Sequence, residues 1–158
     1  MYDLIDQPAA ALGNGSRLIL WAMRGWVGAL ARGVCPPVTL APAFAKLGLM
    51  PVLPDLHRTM ALLHGDPEAQ LALAAIEVPY INEDEALLLG LWRDVATGRD
   101  QAARAILGLL VAVEAIAPIL EAMTGVVAKL ADAQLIPTGL SKNRNAAHPS
   151  SDLRQSND

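Results

Sequence analysis

The run 100–133, DQAARAILGLLVAVEAIAPILEAMTGVVAKLADA, is the feature that narrows the fold most. Ala, Leu, Glu and Met dominate it, all strong helix formers. Beyond Asp100, its charged residues are Arg104, Glu114, Glu121, Lys129 and Asp132. At 100° per residue these fall within an arc of roughly 100°, leaving most of the circumference apolar. Such a helix is expected at the centre of a fold, covered on several sides. Asp100 is placed to cap it, and Gly98 separates it from the helix before. Unbroken, it would run about 50 Å at 1.5 Å per residue, longer than a domain of this size is wide. Pro118 in its middle removes the bond to the Glu114 carbonyl, which predicts a kink or break around 114–117. Two arrangements satisfy this. Either two shorter core helices meet at the kink, or one bent helix sends its far half out to pair with a second copy.

Start and stop signals divide the rest of the chain. Residues 1–15 read as an irregular arm. A helix is expected over 17–32, with Ser16 as N-cap and Gly33 as stop. Cys35, Pro36 and Pro37 cannot continue it. Thr39 is expected to cap a short helix over 40–47 that Gly48 ends, and a third helix opens at Pro54 and stops at Gly65. Asp66, Pro67 and Glu68 signal a fourth over 67–76. Asn82 with Glu85 forms a capping box for a fifth, whose apolar stripe is Leu87, Leu88, Leu91, Trp92 and Val95. Residues 138–158 are polar and aperiodic, so a disordered tail is expected there. Nothing alternates like a strand, and no internal repeat is present. The expected fold is all-α: an irregular bundle of five or six helices, with a long, Pro-kinked C-terminal helix, in a single helical domain over 16–137.

Apolar residues make up 53% of the 158, and the mean hydropathy is +0.34. Even so, the charge-free runs 33–45 and 105–113 fall short of the roughly 18–20 apolar residues that span a bilayer. The first of them also holds three prolines. Asp3 and Asp6 stand where a secretory signal would carry positive charge, so none is expected. A single cysteine, Cys35, excludes an intramolecular disulfide and fits a reducing cytoplasm. Ala and Leu abound and Arg outnumbers Lys nine to three, which fits a GC-rich bacterial coding bias. A net charge of −4 favours neither nucleic acid nor anionic lipid.

Few residues suggest chemistry. Arg17, Arg24 and Arg32 lie within about 80° of one another on the first helix, with Trp21 on or beside the stripe. Arginine suits bidentate anion recognition, and the tryptophan equally suits burial against another helix or subunit. This stripe is the best candidate contact surface, and Arg17 and Arg24 are expected to face Glu114 and Glu121. That glutamate pair is seven residues apart on one side of the long helix. Di-metal helical bundles use Glu-x-x-His, which is absent, so a solvated or Arg-facing edge is favoured over a metal site. His57 and His64 are also seven apart, about 10 Å along a helix and too far to share one ion. Cys35 has no partner thiol and is expected to be buried or half-buried and inert. Glu83, Asp84 and Glu85 read as first-turn acids that stabilise a helix start. A DNA-reading helix over 67–76 is excluded for want of any basic residue. No phosphate loop, nucleophile elbow or Cys-x-x-Cys is present. The expectation is therefore a non-enzymatic protein acting by association, most simply as a homo-oligomer, with no catalytic set, metal or cofactor. The alternative is a small-molecule or anion binding protein, or an enzyme. Its inter-helix pocket would be lined by Trp and Leu, with Arg24, Glu114 or His57 supplying polar contacts. A peripheral membrane helix is disfavoured, since only the first helix combines a basic face with an apolar one.

Overall fold

The computed structural model describes residues 2–65 and 71–141. It is all-α, with α1 Asn14–Ala31, α2 Pro36–Lys46, α3 Leu53–Gly65, α4 Glu83–Ala96, α5 Asp100–Leu107 and α6 Val113–Asp132, plus three short 3₁₀ turns. None of these helices is long and apolar enough to cross a membrane.

The run 100–133 is two helices, and its break is not at the proline. It falls over 108–112, while Pro118 sits inside α6. The physical reason is twofold. Gly108 weakens the helix, and the turn beyond it lets both Leu107 and Val111 reach the core, at 0% and 3% exposure. Starting at Val113 then puts Pro118 only five residues from the end. The carbonyl it orphans belongs to Glu114, an exposed residue whose backbone can meet water.

Nor is α6 the most enclosed element. It buries five of its 20 residues, whereas α1 buries ten of 18 and α4 eight of 14. The apolar look of α6 comes partly from Ala117, Ala128 and Ala131, which are exposed and lose little by it. The core is centred instead on Ile19, Leu20, Met23 and Trp26 of α1 against Leu88, Leu89 and Trp92 of α4, all at 3% exposure or less. Full burial of each such side chain is worth about 1.5–3 kcal/mol. Helix α6 packs chiefly on α3. Its apolar face, Ile119, Met123, Val126 and Leu130, is buried within its own fold and does not project.

Several boundaries move. Ser16 does not cap α1; Gly13 takes that position, and the buried Ser16 hydroxyl accepts from the Gly139 N–H at 2.8 Å. Helix α2 begins at Pro36, not after Thr39, because two prolines at its first positions give up N–H groups that are unpaired there in any helix. Cys35 becomes its N-cap and is exposed, not buried. Arg99, not Asp100, is the N-cap of α5. The helix expected over 67–76 does not form over 71–76, where the backbone is irregular and enters a turn at 76–77; residues 66–70 lie outside the described residues. The α4 capping box is present as expected: the Asn82 side chain accepts from Glu85 N–H and the Glu85 carboxylate accepts from Asn82 N–H. Gly33 ends α1 in the left-handed region, at φ 68°.

The N-terminal arm is short-turned and fastened. Leu4 and Leu12 are buried. Asp6 N–H and Ala9 N–H donate to the carbonyls of Ile81 and Pro79 at 3.0 and 2.7 Å. From the other side, Ser141 N–H donates to the Ala11 carbonyl at 2.9 Å, next to a Leu12–Leu140 bridge. The remainder of the expected tail, 142–158, lies outside the described residues.

Candidate functional site

The arginine stripe of α1 divides into two environments. At the N-terminal end, Arg17 and Trp21 meet in a groove of about 520 Å³ between α1 and the last turns of α2. Leu18, Trp21, Leu47 and Leu135 form its apolar floor, and Arg17 and Lys46 stand at its rim. Trp21 is set in place from beneath by Phe44, the ring centroids 6.4 Å apart. Arg17 donates one bond, to Asn14 Oδ1 at 2.7 Å.

One α-helical heptad further on, Arg24 is 4% exposed. Its partner is Glu85 of α4, not Glu114 or Glu121. Arg24 Nε donates to Glu85 Oε1 at 2.7 Å and Nη2 to Oε2 at 2.8 Å. Nη1 donates to the Val78 carbonyl at 2.6 Å and Nη2 to that of Tyr80 at 2.8 Å. The same carboxylate accepts from the N–H groups of Ala74 and Asn82, at 3.0 and 3.1 Å. A buried ion pair is tolerable only when its remaining donors and lone pairs are satisfied, and the irregular segment 71–82 supplies those partners. Burial alone would raise the Glu85 carboxyl, but Arg24 and the two backbone N–H groups hold it below its ordinary value. A second hollow of about 270 Å³ lies beside this pair, between α1 and residues 73–77. The guanidinium facing it is already bonded four times.

Trp26 organises the histidines. Its Nε1 donates to His57 Nδ1 at 2.9 Å, which fixes His57 as acceptor at that nitrogen. His64, one face further along α3, packs on the same indole at 5.2 Å between centroids. Neither nitrogen of His64 has a hydrogen-bond partner among the described residues. Burial pushes its pKa below 6.5, and the Met60 carbonyl one turn back offsets only part of that. The two histidines thus share a face through tryptophan, not through a metal. No group of three or more potential metal ligands occurs among the described residues.

This arrangement sets the acid sensitivity of the fold. The folded pKa of His64 is depressed, so as pH falls through about 6.5 the unfolded chain takes up the proton first and stability declines. Glu85 is also depressed in the folded state, so its contribution is intact above 4.5 and is lost as pH falls further. Thermal melts across pH should show two separate losses. His64→Gln should remove the upper one and leave the lower; an unchanged upper loss would assign it to another group.

Glu114 and Glu121 are both exposed and do not converge on the basic stripe. Glu121 pairs with Arg58 of α3 at 3.2 Å, with both side chains largely in solvent, a contact worth little. The groove residue missed from sequence is Lys46. It is the only cation of α2 and lies in its last turn, and only packing brings that turn beside Arg17 and Trp21. Glu85 was legible as a cap but not as the partner of Arg24, since 61 residues separate them.

No protein-family model, curated protein or solved structure matches the chain.

Proposed function

We propose that this chain works by association, as a non-catalytic helical protein whose simplest partner is a second copy of itself. The observation that carries this reading is the turn joining α1 to α2. Within nine residues it exposes Leu30 at 49%, Val34 at 46% and Val38 at 70%. The turn is held tight, with Val34 N–H donating to the Ala29 carbonyl at 3.1 Å. Three aliphatic side chains on a rigid turn form an apolar centre of the kind that interfaces bury inside a polar rim. The reading relocates the contact surface from 118–133, which packs on α3, to the α1–α2 turn. The internal pairing of Arg24 with Glu85 and of Trp26 with His57 favours it over catalysis, because these polar groups already bond one another. A cytoplasmic, bacterial setting fits the exposed lone thiol of Cys35 and the Ala- and Arg-rich composition.

Light scattering on the full chain after size exclusion tests it. The expected mass is that of two subunits, falling to one in Val34→Asp/Val38→Asp. Leu109→Asp/Val113→Asp, at the exposed α5–α6 turn, serves as a control that leaves the mass unchanged. A single-subunit mass for the parent chain at about 100 μM, where even a weak dimer of micromolar Kd would form, would end the proposal.

A further inference from the structure

We infer that the groove between α1 and α2 is a binding site for a free carboxylate carrying an unbranched apolar chain. This surface is separate from the α1–α2 turn: Arg17 and Leu30 are thirteen residues apart on α1, about 20 Å. The floor is built from side chains that gain by meeting hydrocarbon, namely Leu18, Trp21, Leu47 and Leu135. Leu47 is 58% exposed, so an apolar occupant would remove from water a surface that the fold leaves open. The floor is firm, because Trp21 rests on the buried ring of Phe44, and a firm floor lowers the ordering cost of binding.

Charge identifies the head group. The rim carries Arg17 and Lys46, and no carboxylate lines the groove. Of the other described cations, Arg24 pairs with Glu85, Arg58 with Glu121, Arg93 with Asp3, Arg99 with Asp94 and Lys129 with Asp55, whereas Arg32 and Arg104 make no ion pair among the described residues and do not line this groove. Lys46 has no hydrogen bond or ion pair among the described residues, and Arg17 bonds only the neutral Asn14. The Asn14 contact directs one guanidinium edge and leaves the other donors of the fork for a planar anion. The volume of about 520 Å³ holds on the order of fifteen non-hydrogen atoms at about 30 Å³ each. That corresponds to a medium-length acyl chain, with its carboxylate between the two cations and its tail along Trp21.

The test is calorimetric titration of the full chain with monomeric decanoate, with decanol and with vesicles of anionic phospholipid as the comparison arms. The expected result is saturable one-to-one binding of decanoate, with a blue shift of tryptophan emission as Trp21 leaves water. Arg17→Gln/Lys46→Gln should weaken decanoate at least tenfold and leave decanol unchanged. Both positions are exposed, so folding is not at stake, and an unchanged circular dichroism spectrum verifies that. Leu18→Asp should abolish the binding of both. No saturable decanoate binding overturns the inference. So does decanoate binding indifferent to the two charge removals, equal affinity for decanol, or binding to vesicles alone.

Discussion

Arg24→Met is expected to destabilise the protein by about 4 kcal/mol, within the range for breaking a buried ion pair. In a chain of this size that lowers the melting temperature by about 10 °C. The loss arises because Glu85, fully buried, would keep its charge or its proton without the guanidinium that now neutralises it. The more informative variant is the double replacement Arg24→Met/Glu85→Leu. Exchange of an isolated buried pair for apolar residues is often neutral or stabilising. Here it should remain destabilising by at least about 2 kcal/mol, because the pair also satisfies the Val78 and Tyr80 carbonyls and the Ala74 and Asn82 N–H groups. Hydrogen exchange should show faster amides over 74–82 in the double variant. Full recovery of stability would mean that segment 71–82 is held by other contacts.

Gly15→Ala should be nearly as damaging, by about 3 kcal/mol, the upper part of the range for overpacking. A Cβ at this position would lie 2.5 Å from the Ile136 carbonyl oxygen and closer still to that of Leu135. Both are backbone atoms, so no rotamer change relieves the clash. The irregular segment 135–141 must move off α1, and Ser16 then loses the Gly139 N–H. Denaturant titration gives the magnitude. Gly28→Ala, whose Cβ would meet only the flexible Arg32 side chain at 3.3 Å, is the matched control and should change stability by less than about 1 kcal/mol. A loss in Gly15→Ala no greater than the control would show that 135–141 yields easily.

The fold class and most helix ends were legible because they depend on local chemistry. The Asn82–Glu85 capping box, Gly33 and Gly98 act within one turn of the chain, and each does what its residue type implies. Three things were not legible. Alanine counts as apolar in a pattern yet accepts solvent readily, so α6 read as the core while α1 and α4 form it. Proline read as a helix breaker at Pro118, but α6 runs through it, and the one carbonyl it orphans belongs to the exposed Glu114. Segment 71–76 follows the helix-start signals at 66–68, but its Ala74 N–H is bound to Glu85 in an irregular path, a tertiary contact overriding local propensity. The candidate site was half visible. Arg17 and Trp21 share a stripe by helical arithmetic, whereas Lys46 and Leu135 join them only through packing.

The bond from the Gly139 N–H to the Ser16 hydroxyl spans 123 residues and has a meaning for synthesis. At about 5–20 residues per second, the N-terminal turn of α1 exists for roughly 6–25 s before the segment that seals it has been made. Throughout that interval the Ser16 hydroxyl lacks its Gly139 partner and Gly15 lacks the Leu135 and Ile136 carbonyls that lie over it. Among the described residues, the segment that closes over the start of α1 is thus made after every helix of the fold.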